Sequence, residues 1–135
     1  MSKHTTITKL APLLLLTLGC LLPTAPWTPS EPSTAVTPPP WVEAQWDSVL
    51  ACAGLSGTFK RLHFRVVADV DGDGAFACPA YKVGCMGVYD GERTLYFSPL
   101  GWSTPSVVRH ELLHAGLKRE GHPTPPFGIC AILQV

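Results

Sequence analysis

Charge is scarce in this sequence. Asp, Glu, Lys and Arg make up 15% of the 135 residues, and ten basic side chains balance ten acidic ones. Setting aside Lys3 and Lys9 leaves a net charge of about −2. No basic cluster interleaves with aromatic residues, which argues against nucleic acid as a partner. No apolar run reaches the roughly 20 residues that a membrane-spanning helix needs. Five cysteines are present but no C-x-x-C pair, so a thiolate zinc site lacks its usual framework. There is no internal repeat, and the length leaves room for one domain at most.

What is there begins with an export pattern. Lys3 and Lys9 precede the short apolar run of residues 10–18, which ends at Gly19-Cys20. A basic start, a short apolar segment and a small residue before the break predict a signal peptide over residues 1–19. Thr17-Leu18-Gly19-Cys20 resembles the lipobox of bacterial lipoproteins. That resemblance implies acylation of Cys20 and a lipid anchor in the membrane; secreted or periplasmic release without a lipid stays open. Residues 20–40 follow as an expected tether, since residues 21–40 hold half of the prolines and almost no charge. Such a density of missing donors and fixed φ angles disfavours any regular element.

Residues 41–135 remain as the folded domain, a size that is often marginal without reinforcement. Cys52, Cys78, Cys85 and Cys130 supply an even number of thiols in an exported chain, which predicts two disulfides. Of three possible connectivities, Cys78–Cys85 as a local clasp and Cys52–Cys130 as a tie between the ends are favoured.

The domain reads as α+β. Residues 41–54 place Trp41, Val42, Trp46, Val49, Leu50 and Ala53 at helical spacing, with Pro40 at the first turn and Gly54 at the stop. Residues 61–69 alternate, with Leu62, Phe64, Val66 and Ala68 expected to face inward. Val88-Tyr89, then Asp90-Gly91, then residues 94–98 predict a hairpin. Residues 100–103 read as a connection. A second helix is expected from the Thr104 cap and Pro105 to about Arg119, with Gly121 ending it. The order is helix, strand, hairpin, helix, around a small antiparallel or mixed sheet.

The second helix carries the chemistry, in the stretch RHELLHAGLKREGHP (109–123). His110 and His114, four residues apart, share one helical face and can meet one metal ion. Glu111 lies one step round, placed to hold a water on that metal and take its proton. Leu113 and Leu117 share the stripe of the two histidines, so the imidazoles point to the apolar side. Two inward histidines and a glutamate without partners would cost on the order of 1–3 kcal/mol each. A shared metal satisfies them together.

With His-Glu-x-x-His on a helix that follows a helix and a small sheet, the chain resembles the zincin metallopeptidases. It is also similar to small exported bacterial proteins that combine this motif with a nearby Gly-His-Pro and flanking cysteines. The resemblance covers residues 41–130 and implies a minimal zincin-like domain. His110 and His114 become zinc ligands, Glu111 the general base, and a peptide or protein the substrate. The third ligand has two candidates. Glu120 would face away if the helix continued, whereas Gly121 permits a chain reversal that returns His122, the favoured choice. A zinc-structured binding module of a surface lipoprotein, without catalysis, is the alternative.

Lesser signals complete the reading. Asp69, Asp71, Asp73 and Gly74 match the first half of a calcium loop whose closing position is Ala80. Tyr81, Tyr89 and Tyr96 are candidates to donate to an oxyanion, and His63 is expected to be exposed. By analogy with zincins, residues 94–98 are a candidate edge strand for an extended substrate.

Overall fold

The structure, a computed structural model, describes residues 25–78 and 84–132. The expected signal peptide and Cys20 lie outside the described residues. The first helix, α1 (Pro40–Ala53), starts on a proline, whose missing N–H costs nothing there, and buries Val42, Trp46, Val49 and Leu50. Gly54 ends it in the left-handed conformation at φ 65°, its N–H pointing back at the last carbonyls.

Five further short elements build two sheets before the second long helix. They are β2 (His63–Val67), β3 (Phe76–Ala77), β4 (Gly84–Cys85), β5 (Gly87–Tyr89) and β6 (Thr94–Phe97). A sixth, β1 (Ser33–Ala35), comes first in the chain. The main sheet is mixed, in the order β1-β2-β6-β5, with β2 and β6 parallel and both outer pairs antiparallel; β3 and β4 form a separate small hairpin. The fold is thus α+β.

Two expectations change in the main sheet. The proline-rich stretch is not wholly a tether: Ser33–Ala35 pairs with Val67–Arg65 of β2. Prolines are tolerated because β1 is an edge strand of three residues, flanked rather than interrupted by them. Arg65 secures it with Nε donating to the Ser33 hydroxyl and Nη2 to the Ser33 carbonyl, 2.9 and 2.6 Å. The strict alternation expected along β2 also fails, since Phe64 and Val67 are its buried residues. Their side chains serve different clusters. Phe64 joins the helix-side core, and Val67 joins Phe76 and Tyr96 beneath Trp27. A strand covered on both faces has no solvent side to enforce a period of two.

The β5–β6 hairpin forms as expected. Its loop is held by Asp90, whose Oδ1 accepts from the N–H groups of Glu92, Arg93 and Thr94 at 2.8, 2.8 and 2.9 Å. Residues expected as a plain connection instead form a single turn, α2 (Pro99–Trp102), because the Ser98 hydroxyl caps Gly101 N–H at 2.9 Å. Trp102 then packs against Phe64 and Phe97. The long α3 (Pro105–Leu117) follows, and α4 (Pro126–Ile129) is the last element among the described residues.

Both expected disulfides form. Cys52–Cys130 ties α1 to the end of α4 across 78 residues, and Cys78–Cys85 clasps the small hairpin across seven. Arg109 reinforces the first tie: its Nε donates to the Cys130 carbonyl at 2.7 Å, and its Nη1 reaches Gln45 and Ser48 of α1. Two such bonds fit an oxidising environment. Among the described residues no helix is long and apolar enough to cross a membrane.

Candidate metal centre

Helix α3 packs on α1 and the sheet through Val108, Leu112, Leu113 and Ala115, all buried. That burial fixes the helix rotation and turns His110, Glu111 and His114 inward with them. The chain then reverses, and His122 comes back over the helix. The three Nε2 atoms converge: His110 to His122 is 3.0 Å, and His114 stands 3.2 Å from each. His114 is buried, His110 half-buried and His122 exposed.

The reversal happens earlier than the sequence suggests. The helix ends at Leu117, and Lys118, not Gly121, adopts the left-handed conformation at φ 53°. A non-glycine residue there costs roughly 1 kcal/mol. The closing contacts offset it: the N–H groups of Lys118 and Arg119 both point to the His114 carbonyl. The Arg119 carbonyl in turn lies 2.9 Å from His114 Nδ1. A carbonyl only accepts, so Nδ1 carries the proton and Nε2 presents a bare lone pair to the other two rings.

Three imidazole nitrogens so close cannot all be satisfied by hydrogen bonds to one another. Tetrahedral coordination at about 2.0–2.1 Å has ligand–ligand edges of about 3.3–3.4 Å. The observed edges of 3.0–3.2 Å are close to one face of that figure. The triad therefore fits a metal ion. Burial, together with the charges of His114 and His122, pushes the His110 imidazole down to about 4. Burial likewise lowers His114. Both effects favour neutral rings, the form that binds metal.

Glu111 is 7% exposed. Burial pushes its carboxyl up to about 8, opposed by a hydrogen bond from the Tyr89 backbone. Its carboxyl lies against β5: a Cβ added to Gly87 would stand 2.7 Å from Glu111 Cγ and 3.0 Å from Oε1. Glu111 and His110 line a cleft of 380 Å3 with Met86, Gly87, Ser106 and Val107. The strand beside that cleft is β5, at the edge of the sheet. Residues 94–98 are not an edge, because β6 is paired on both sides by β2 and β5. Chain order hid this, since the later strand of the hairpin inserts next to β2.

The other candidates fall away from the triad. Glu120 is exposed and stands near Gly91. Both oxygens of Asp69 accept backbone N–H groups, from Gly72 and Gly74, and Asp73 takes that of Ala75. The loop is thus held as a polar turn, and its expected closing position, Ala80, lies outside the described residues, as does Tyr81. The Tyr89 hydroxyl donates to the Glu92 carbonyl at 2.7 Å. Tyr96 belongs to the Trp27 cluster away from α3. His63 is exposed, as expected.

Two residues that the sequence did not single out complete the surroundings. Arg109 anchors the returning segment, and the ring of Phe127 in α4 packs against all three imidazoles, tilted to two and edge-on to the third. An Arg inside an apolar helical face was the available signal for the first.

No protein-family model, no curated protein and no solved structure matches the chain.

Proposed function

We propose that the domain is a zinc-dependent peptidase of the zincin type, with His110, His114 and His122 as ligands and Glu111 as general base. The observation that carries this reading is the placement of the Glu111 carboxyl in one cleft with His110, against β5, the outermost strand of the main sheet among the described residues. A site that only holds metal has no need of a buried carboxyl there. Bound to the triad, zinc would supply Lewis acidity and a water that is easier to deprotonate. The charge of a bound cation would favour the ionised form of Glu111 against the upward push of burial, and the carboxylate would then accept that proton and return it to the leaving amine. An extended peptide would add to β5 by main-chain hydrogen bonds, with Met86 and Val107 offering apolar contact beside the cleft.

Replacing Glu111 with Gln tests the assignment, using hydrolysis of an unstructured protein as the readout. The variant is expected to keep its metal and lose about 100- to 10,000-fold in rate. Unchanged hydrolysis would sink the mechanism.

A second reading has one observation in its favour: at 7% exposure Glu111 leaves little room for a water and a substrate together. In that reading the protein is a zinc-structured binding module of a surface lipoprotein, and the parent chain binds metal without cleaving peptides. In either case the export pattern and Cys20 support a lipid-anchored location, checked by the mass of the N-terminal peptide from membranes.

A further inference from the structure

The ring of Phe127 lies 5.0 Å from that of His110, 4.5 Å from His114 and 4.7 Å from His122, centroid to centroid. The three imidazole centroids are 4.9 Å apart in every pair. Six nearly equal separations put the four rings at the corners of an almost regular tetrahedron. Phe127 therefore stands on the axis of the triad and covers one of its two faces.

The ring is braced from behind. Phe127 packs against the cluster of Val49, Leu113 and Cys130. Cys130 is held to α1 by its disulfide and to α3 by Arg109. The half-buried ring thus leans on the core through these anchors. Rings at these separations, tilted or edge-on as here, attract one another through their quadrupoles. An apolar neighbour also governs how much water reaches a metal centre.

Resting on the reading that the triad holds a metal ion, we propose that Phe127 is a positioning residue of that centre. Its ring fixes the orientation of the three imidazoles and shuts one face of the triad to water. The opposite face is left as the way in for a fourth ligand. Metal selectivity and coordination number then depend on a side chain that supplies no ligand atom.

Cobalt(II) binding to the full chain tests this, because visible absorption is strong for four-coordinate cobalt and weak for six. Phe127→Ala is expected to weaken cobalt affinity by about 10- to 100-fold. Its absorption per bound ion should also fall as water joins the coordination shell. Phe127→Tyr, which restores the ring, should return both quantities to the parent values. Phe127→Leu keeps apolar bulk against Leu113 and should show the same spectral loss in a folded chain, so it carries the test if the alanine variant unfolds. Parent-like affinity and spectrum in the Ala and Leu variants, or in the Leu variant alone if the Ala variant unfolds, would overturn the proposal. A parent chain that takes up no cobalt would overturn the metal reading itself.

Discussion

The Nδ1 atom of His114 and the carbonyl oxygen of Arg119 stand 2.9 Å apart, across the turn that ends α3. This one contact links the helix terminus to the chemistry of the ring. It fixes the tautomer of His114, and it brings the chain back within reach of His110.

The turn itself is open to test. Lys118 occupies the left-handed region at φ 53°, where glycine carries no steric penalty. Lys118→Gly is expected to raise stability by up to about 1 kcal/mol, less the entropy glycine adds to the unfolded chain. Urea unfolding measures it, and metal affinity should not fall.

The third ligand separates two neighbours in the sequence. His122→Ala is expected to weaken zinc binding by more than about 100-fold, beyond the range typical of residues that merely support a ligand. Glu120→Ala should change it less than about threefold, within the range of exposed charges that touch nothing at the site. Competition against a chromophoric chelator measures both, and equal effects would refute the choice of His122.

How far the sequence carried this differs by element. Helix α1 was legible because proline, glycine and four buried apolar residues agree on one register. The histidine pair was legible because a period of four needs only helix geometry. Strand β1 was not, since Ser33–Ala35 has no pattern of its own and is a strand only because β2 offers an edge. The expected stop at Gly121 misled because glycine is the least costly left-handed residue, yet contacts from His114 place the reversal at Lys118. Phe127 lay beyond reach for the same reason. Nothing local says that a phenylalanine after two prolines folds onto three imidazoles.

The two disulfides should contribute unequally. By loop length, Cys52–Cys130 stabilises by about 4.5 kcal/mol and Cys78–Cys85 by about 2.4 kcal/mol in the chain-entropy account. Serine replacement of the first pair is expected to lower the denaturation midpoint more, and also to weaken metal binding, because Cys130 anchors the segment bearing His122 and Phe127. Replacement of the second pair should leave metal affinity unchanged. Equal loss of affinity in both double variants would contradict the anchoring role.

Gly87 offers a way to move Glu111 without touching it. A methyl group there would meet Glu111 Cγ at 2.7 Å, so Gly87→Ala forces the carboxyl to shift. The expected result is a fall in hydrolysis of at least about tenfold, since small displacements in a reacting geometry are costly, with metal affinity within about threefold of the parent. Parent-like hydrolysis would mean that the present position of Glu111 is not the working one.

Metal content decides whether His110, His114 and His122 form a metal centre. The full chain, purified with both disulfides intact and without chelators, is predicted to carry one zinc ion per molecule. Glu111→Gln and Glu120→Ala should retain it, and His110→Ala, His114→Ala and His122→Ala should lose it. A correctly folded parent chain that holds no stoichiometric metal, even after equilibration with zinc, would contradict the account.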